Sequence, residues 1–336
     1  MPPAARIAEA LQSCRNVLLL NHVTPDGDCL GSTLALARTL WGRGQRATVG
    51  SADGIPVIYR FLPGSDRVIT VAPDHDPFDA VVFMECTTPE RAGPLVALAS
   101  GVPLWINIDH HVSNSGFGDL TLLDLEAAAV AEAVLPIVKA LTPVVDAETA
   151  TCLFTALLTD TGSFRYTSVT PRSFAVAAEL VAAGASPSEI YSQVYENRPP
   201  ATLRLLGSAL SAMVLSDGGR VAWTAVTQAM LRESGATMDQ SEGIVGMLRA
   251  LEGVQVALLF KEEREGIHVS IRGQAGVRAH VIATAFGGGG HAAAAGFTLR
   301  EPLDEAIRQT LDAVRRELAA AAASPHPPTS PPRGPA

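Results

Sequence analysis

The sequence predicts an α/β fold: a mainly parallel sheet with helices on both faces, followed by a smaller α/β domain. Short, continuous apolar runs alternate with helical stretches through the first part of the chain, which is the pattern of buried parallel strands. A cleanly alternating run at 267–272 indicates a half-buried strand of a second sheet. The chain of 336 residues is also longer than a domain with a single hydrophobic core usually is, which favours two domains.

The first domain is predicted from apolar runs and the helical stretches between them. The strand candidates are 17–20, 47–49, 80–84 and 103–108. Helical spacing occurs over 30–40, 94–99, 125–141, 147–159, 171–183 and 188–196. This alternation assigns residues 1–190 to the first domain.

The rest of the chain is divided by its proline-rich segments. Asn197-Arg198-Pro199-Pro200 lies within a predicted helical linker over 191–213. The second domain is expected over 214–322, with strands at 221–226, 254–260 and 267–272 and helices at 277–286 and 303–322. Residues 323–336 are rich in proline and are expected to form a disordered tail.

Composition narrows the function classes. The net charge of −9 and the aromatic content of 5% argue against a binding surface for long nucleic acid, which usually needs a basic stripe and stacking side chains. The four cysteines match no zinc spacing, so free thiols in a reducing compartment are expected. With no apolar signal core and no membrane-length apolar stretch, a cytoplasmic location without membrane contact is expected.

A functional site is predicted where four apolar segments end in acids or histidines. Three of these segments are strand candidates, and the fourth is the helix that ends at Asp160. Because the carboxyl ends of parallel strands share one edge of a sheet, these side chains should converge. Each motif alone is compatible with an ordinary turn or loop, but four at one edge favour a site. The converging set is His22, Asp26, Asp28, Glu85, His110, His111 and Asp160.

Such a cluster of carboxylates would repel unless cations were bound. Mixed carboxylate and imidazole ligands suit manganese, and also iron or zinc, with magnesium possible. Two such cations close together form a common centre for the hydrolysis of phosphate esters. The sequence therefore predicts a two-metal phosphoesterase site.

A glycine cluster in the second domain is the next candidate. Gly288, Gly289 and Gly290 precede His291, and such a run lets backbone amides approach an anionic ligand closely. Arg272, at the end of the alternating strand, could make a bidentate contact to a phosphate. The alternative explanation is a flexible loop with an incidental histidine.

These motifs resemble the DHH phosphoesterase family, and in particular its branch of bacterial oligoribonucleases, the nanoRNases, which also act as 3′-phosphoadenosine 5′-phosphate (pAp) phosphatases. The first motif is HVTPDGDCLGS at 22–32. The motif that names the family is Asp109-His110-His111, with Asn114, Phe117 and Gly118. LTDTGSF at 158–164 and GGGH at 288–291 with Gly296 are similar to two further motifs, so the resemblance covers nearly the whole chain.

The resemblance implies a DHH catalytic domain and a DHH-associated substrate-binding domain. It implies two divalent ions, Mn²⁺ or alternatively Mg²⁺ or Co²⁺, on His22, Asp26, Asp28, Glu85, His110 and Asp160. Asp109 would orient an imidazole, and His111 would face the substrate phosphate. Arg272, Asn114 and the 288–291 segment would contact the substrate. A homodimer is also expected from the resemblance alone.

The implied reaction is hydrolysis of di- to pentanucleotides to mononucleotides, with removal of the 3′-phosphate of pAp. A phosphodiesterase for cyclic dinucleotides or their linear products is the alternative enzyme, and a non-catalytic nucleotide sensor is the alternative from another class.

The sequence departs from the usual pattern of the family at two places. Glu85 occupies a position that is usually aspartate, and residues 127–132 lack the hydroxyl side chains often found there.

Overall fold

The computed structural model of the chain describes residues 2–72, 77–196, 198–274, 276–290 and 292–323. The chain divides into two compact units, residues 1–197 and residues 198–336. The predicted tail lies outside the described residues, except that the last helix reaches Ala323. Within the described ranges, no helix combines the length and the apolar character needed to cross a bilayer.

The first unit is built around a parallel sheet. Its strands are β1 (Asn16–Asn21), β2 (Arg46–Gly50), β3 (Ala80–Met84), β4 (Trp105–Asp109) and β5 (Leu120–Leu123). Its helices are α1 (Pro3–Ser13), α2 (Gly27–Gly42), α3 (Ala131–Leu141), α4 (Ala147–Asp160), α5 (Pro171–Ala182) and α6 (Pro187–Tyr191), which a π turn extends over Ser192–Glu196. Three 3₁₀ segments span Val57–Tyr59, Ser65–Arg67 and Pro89–Ala99.

The five strands run parallel in the order β2-β1-β3-β4-β5. On one face, Leu19 and Val82 pack into a core with α1, α2, α3 and α4. On the other face, Leu18, Leu20 and Phe83 pack against the 3₁₀ segment Pro89–Ala99. Each fully buried leucine contributes about 1.5–3 kcal/mol through removal of apolar surface from water. The predicted fold class is confirmed.

Some element boundaries differ from the predictions. The helix expected over 125–141 begins only at Ala131, because the preceding backbone is bonded to side chains of the candidate site, as described below. The helix expected over 94–99 is a 3₁₀ segment, interrupted at Gly93 and containing Pro94, which lacks the N–H for a helical bond. Strand β5 was not predicted, since its four residues form a run too short for pattern alone to identify.

The second unit contains strands β6 (Val214–Ser216), β7 (Val221–Val226), β8 (Val256–Glu263), β9 (Gly266–Gly273), β10 (Gly289–Gly290) and β11 (Ala294–Leu299). Its helices are α7 (Pro200–Ser211), α8 (Gln228–Ser234), α9 (Ile244–Arg249), α10 (Ala279–Thr284) and α11 (Leu303–Ala323), with 3₁₀ turns at Asp217–Gly219 and Met238–Ser241. The sheet order is β10-β11-β9-β8-β7-β6, and β7–β8 is its parallel pair.

Both faces of this second sheet carry apolar clusters. Val269, Ile271 and Phe297 pack with α10 and α11 on one face. Ala257 and Leu259 pack with α7, α8 and α9 on the other. Five elements were not predicted: β6, β10, β11, α8 and α9. Four of them are short, and β11 begins with alanine and glycine, which have weak strand propensity.

Candidate functional site

The candidate site of the first unit lies where the strand order of the parallel sheet reverses. The chain passes from β1 to β2 on one side and returns to β3 on the other, and ligands of open α/β sheets bind at such a switch point. His22 directly follows β1 and Glu85 directly follows β3. On the next strand, Asp109 ends β4, and His110 and His111 follow it. The structure therefore brings together the acids and histidines that end the predicted strands.

Asp26 and Asp28 enter the site from the start of α2. Asp26 is the N-cap residue of this helix, and its Oδ1 accepts a 3.0 Å hydrogen bond from the Cys29 N–H. Asp28 lies in the first turn and is fully buried. Its carboxylate accepts hydrogen bonds from the Ser32 hydroxyl at 3.0 Å and from the backbone N–H groups of Val130 and Ala131. Because α3 begins at these two amides, Asp28 is fixed by the positive end of that helix.

Asp160 reaches the site from the last residue of α4. Its Oδ2 lies 3.5 Å from Nε2 of His110, which lies in turn 3.8 Å from Oε1 of Glu85. The other ring nitrogen of His110, Nδ1, lies 3.0 Å from the carbonyl oxygen of Ala127. If Nδ1 carries the ring proton and donates it to this carbonyl, Nε2 is left to accept or to ligate.

Three sets of potential ligand atoms each lie within 4.8 Å of one another. Glu85 belongs to two of the sets and His110 to another two, so that the three sets form one continuous cluster. Asp26 belongs to none of the three sets among the described residues, and its side chain serves the helix cap. The sets are His22, Cys29 and Glu85; Glu85, His110 and His111; and Asp28, His110 and Asp160.

Glu85 occupies an unusual backbone and side-chain environment. Its φ of 57° lies in the left-handed region, which non-glycine residues rarely adopt and which is frequent at functional sites. The residue is 3% exposed, and its Oε2 has no hydrogen-bond partner among the residues that the structure describes. A buried carboxylate oxygen without a donor is costly. A bound cation would satisfy it.

The electrostatics of the cluster agree with a cation site. Burial, followed by repulsion from Asp26 and Asp28, raises the pKa of Glu85 well above its usual range. Burial and then the Asp28 charge do the same to the pKa of Asp160. The pKa of Asp28 is raised by burial, against the attraction of His110. Burial opposes the charged form of His110, but Asp28 and Asp160 outweigh it and raise its pKa. Divalent cations would hold all of these carboxylates ionised.

Asp109 organises the histidine side of the site. Its Oδ1 lies 2.7 Å from Nδ1 of His111 and also accepts the backbone N–H groups of His110 and His111. Its Oδ2 accepts a 2.6 Å hydrogen bond from the Asn114 amide. Burial opposes ionisation of Asp109, but the hydrogen bonds from His111 and Asn114 prevail, and its pKa is lowered. Asp109 is therefore an anion that orients the His111 ring.

Asn114 is held by the protein on both sides of its amide. Its nitrogen also lies 2.8 Å from Oδ1 of Asn107 and 3.1 Å from the Cys86 carbonyl, and its oxygen accepts the Gly116 N–H at 2.7 Å. With its donors and its acceptor engaged inside the protein, Asn114 positions Asp109. This geometry favours a positioning role over the substrate contact that the sequence predicted.

The second unit brings Arg272 close to the glycine segment. Arg272 in β9 pairs with Ala294 in β11, and the next residue of β11, Ala295, pairs with Gly290 in β10. Two strand spacings separate β9 from β10, which is about 10 Å. The Arg272 side chain is half-buried and donates to the carbonyl of Ile271 at 3.0 Å. The predicted His291 lies outside the described residues.

Two of the glycines are required by close backbone contacts. A Cβ at Gly288 would lie 2.2 Å from the Gly296 carbonyl oxygen, and a Cβ at Gly290 would lie 2.5 Å from that of Ala294. Gly290 also has a φ of 137°. Gly289 is exposed and has no neighbouring atom within 4 Å of a Cβ position. Packing thus explains Gly288 and Gly290, whereas Gly289 leaves an open backbone segment.

Sequence reasoning missed several participants. Cys29 lies among the potential ligand atoms, and Asn107 links the Asp109 network to the strand end through a 3.0 Å hydrogen bond to the Cys86 carbonyl. A polar residue inside an otherwise apolar strand was the available signal for Asn107. The backbone contributions of Ala127, Val130 and Ala131 carry no signal in side-chain identity.

The chain is similar to known proteins over most of its length. The DHHA1 domain family matches residues 219–320. The bifunctional oligoribonuclease and PAP phosphatase NrnA of Thermus thermophilus is 38% identical over 317 residues, which is 93% of this chain and 93% of that protein.

The fold is also similar to solved structures. An exopolyphosphatase-related protein from Bacteroides fragilis superposes with a TM-score of 0.88 at 23% identity, covering 95% of this chain and 97% of that one. RecJ of Thermus thermophilus in complex with Mn²⁺ superposes with a TM-score of 0.54 at 17% identity, covering 96% of this chain and 55% of that one. These two likenesses concern the fold. The extended sequence identity to the first relative carries the assignment: this chain belongs to the DHH phosphoesterase family, in its group of bifunctional oligoribonucleases and PAP phosphatases.

Proposed function

We propose that this protein is a metal-dependent phosphoesterase that hydrolyses di- to pentaribonucleotides to mononucleotides and removes the 3′-phosphate of pAp. The observation that carries the proposal is the buried cluster of carboxylates and imidazoles at the switch point, with Oε2 of Glu85 unsatisfied among the described residues. The relative at 38% identity bears the name of this pair of activities.

The donor set fits two divalent cations. His22, Asp26, Asp28, Glu85, His110 and Asp160 are the proposed ligands, and Glu85 is suited to the bridging position because its carboxylate belongs to two of the three ligand sets. Oxygen and imidazole ligands suit Mn²⁺, with Mg²⁺ or Co²⁺ as alternatives. When bound, two such cations supply charge neutralisation and Lewis acidity for attack of water on a phosphate ester.

The protein's own residues position the reacting groups. Asp109 and Asn114 hold the His111 ring beside the cluster, where its other ring nitrogen, Nε2, would face the substrate phosphate. The Ala127 carbonyl fixes the His110 ring, and the amides at the start of α3 fix Asp28. Rigid support of this kind reduces the reorganisation needed as charge develops on the phosphate.

The second unit would bind the substrate. His268, Ser270 and Arg272 alternate with buried residues along β9, so they share the sheet face opposite the α10–α11 cluster. Gly296 of β11 lies on the same face and adds no side chain to it. Arg272 and the 288–290 backbone would hold a phosphate or a nucleoside there, and His291, outside the described residues, is proposed as a further contact. We propose domain limits of 1–190, 191–213 for the linker and 214–322.

The acidic character of the chain favours small substrates. A net charge of −9 repels a long polyanion, whereas a short nucleotide can be held through bound cations. Short oligonucleotides or small nucleotides are therefore the proposed substrates. A cytoplasmic location without membrane contact and a homodimeric state also belong to this proposal.

The test is hydrolysis of an end-labelled RNA series, from dinucleotide to long oligomer, with Mn²⁺ or with a chelator. The series includes pAp and a cyclic dinucleotide as competing substrates. We expect manganese-dependent cleavage that is fastest on the shortest RNAs, together with phosphate release from pAp. Asp160→Asn should abolish both activities, whereas the exposed Glu126→Gln should leave both unchanged.

Other outcomes would assign a different function. Preference for the cyclic dinucleotide would make the protein a signalling phosphodiesterase. Absence of turnover on every substrate, in protein that binds Mn²⁺ and unfolds cooperatively, would contradict the enzyme proposal and favour a nucleotide sensor.

A further inference from the structure

A thiol lies among the potential ligand atoms of the candidate metal centre. Sγ of Cys29, a ring nitrogen of His22 and a carboxylate oxygen of Glu85 all lie within 4.8 Å of one another. All three side chains are buried, with exposures of 0%, 7% and 3% respectively. Zn²⁺ lies about 2.0–2.3 Å from its sulfur, nitrogen and oxygen ligands, so two ligand atoms of the same ion are up to about 4 Å apart. The separation within this set is therefore close to the spacing that one ion requires.

The fold explains why the thiol points toward the end of β3. Cys29 lies in the first turn of α2, where its backbone N–H is fixed by the Asp26 cap. Its Sγ donates to the Met84 carbonyl at 3.4 Å, and Met84 immediately precedes Glu85. Helix capping on one side and the strand end on the other therefore hold the sulfur beside the Glu85 carboxylate.

A second, independent observation indicates a cation at this position. Oε2 of Glu85 is buried and has no hydrogen-bond partner among the described residues. The Glu85 backbone departs from β3 in the left-handed region, and its N–H is held by the Ile108 carbonyl at 2.8 Å. The fixed backbone and the 3% exposure of the residue keep this oxygen away from solvent, and a cation would satisfy it.

We propose that Cys29 supplies a sulfur ligand to the cation held by His22 and Glu85, giving one position of the metal centre a mixed nitrogen, oxygen and sulfur donor set. This inference rests on the metal centre of the proposed function. Binding of the cation releases the thiol proton to solvent, with no change of oxidation state. Sulfur ligands select softer ions, so this position prefers Co²⁺ or Zn²⁺ to Mn²⁺.

Cys86 provides a matched control inside the same site. Its thiol donates to the same Met84 carbonyl at the same distance, 3.4 Å, and its side chain is also fully buried. However, it belongs to none of the ligand sets among the described residues. If hydrogen bonding to Met84 were the whole role of a thiol here, Cys29 and Cys86 would behave alike.

The experiment is an anaerobic titration of the metal-free protein with Co²⁺, followed by absorption spectroscopy. Cobalt bound in the site gives visible ligand-field bands, and cobalt bound to sulfur adds an intense charge-transfer band in the near ultraviolet. We expect both in the wild-type protein and in Cys86→Ser. In Cys29→Ser we expect the ligand-field bands to remain and the charge-transfer band to be lost. A weaker preference of that variant for Zn²⁺ over Mn²⁺ should accompany the loss.

The outcomes separate this inference from the proposed function. Ligand-field bands without a charge-transfer band in the wild type would overturn the role of Cys29 and leave the metal centre intact. A charge-transfer band that survives in Cys29→Ser would also overturn it. Absence of any cobalt band would overturn the metal centre as well. Cadmium NMR of the wild type, whose chemical shift reports sulfur ligation, gives the answer even if Cys29→Ser does not fold.

Discussion

The carboxylate of Asp28 accepts a 3.1 Å hydrogen bond from the backbone N–H of Ala131, a residue 103 positions further along the chain. This bond ties the first turn of α2 to the start of α3. The same carboxylate is a proposed metal ligand, so its structural role accompanies a proposed chemical one.

Asp28→Ala should affect both stability and metal binding, whereas Ser32→Ala, at a neighbouring residue, should affect stability alone. Removal of the carboxylate leaves the buried amides of Val130 and Ala131 without an acceptor, which destabilises the protein by about 2 kcal/mol after relief of charge repulsion. Ser32→Ala removes only one donor and should cost about 1 kcal/mol. Urea denaturation in chelator measures both, and only Asp28→Ala should lose the stabilisation by Mn²⁺. Equal losses in the two variants would contradict the helix-capping role.

The stability of the metal-free protein should fall as pH rises. The pKa values of Glu85, Asp160, Asp28 and His110 are all raised in the folded state. A group with a raised folded pKa stabilises the protein below its unfolded pKa, and this contribution is lost as pH rises through the folded pKa. The loss should therefore begin at the ordinary carboxyl pKa, which is 4.5 for glutamate, and continue upward.

Glu85→Gln tests this assignment because it removes the ionisation at the centre of the cluster. Thermal unfolding in chelator should show a flatter pH dependence for the variant and a higher midpoint than wild type at mildly alkaline pH. With Mn²⁺ present the order should reverse, since only the wild type keeps the proposed carboxylate ligand. A wild-type midpoint that is constant with pH in chelator would refute the electrostatic account.

Asp109→Asn should reduce catalysis while the fold is retained. The amide cannot accept all of the donors that Asp109 now receives, so the His111 ring loses its orientation. We expect kcat on a dinucleotide to fall about 10–100-fold, with KM little changed. Steady-state kinetics measure this, and Glu126→Gln is the exposed control in the same unit. An unchanged kcat would exclude a positioning role for Asp109.

Gly289→Ala and Gly290→Ala form a matched pair in the second unit. A Cβ at Gly290 would meet the Ala294 carbonyl, and its φ of 137° disfavours any side chain, so this variant should lower the thermal midpoint. A Cβ at Gly289 meets no atom within 4 Å, so stability should be unchanged. If substrate approaches this backbone, Gly289→Ala should still raise KM. An unchanged KM would remove the 288–290 segment from the substrate site.

Arg272→Ala should weaken substrate binding more than it weakens the chemical step. Loss of a charge-assisted contact of about 1.5–3 kcal/mol corresponds to a rise in KM of about 10–100-fold. Arg272→Lys should rescue this only in part, since lysine cannot form the bidentate contact. Arg264→Ala, in the exposed turn between β8 and β9, is the control. Equal effects of the two alanine variants on KM would indicate a general charge effect.

The sequence by itself predicted the mainly parallel sheet and the acids and histidines at the ends of its strands. Continuous apolar runs and periodic spacing are local properties, so they can be read without coordinates. The motifs from 22–32 to 288–291 also determined the family, because their residue types and order are specific in combination. Asp160, at the end of a helix with one apolar face, could be placed by the same local reasoning.

Only the tertiary structure decided how these groups are held. The hydrogen bonds of Ala127, Val130 and Ala131 come from backbone atoms, which are identical in every residue and leave no trace in the sequence. The position of Cys29 beside Glu85 depends on where α2 docks against the end of β3. The late start of α3 has the same origin, since contacts from distant residues outweigh the helical preference of an alanine-rich segment.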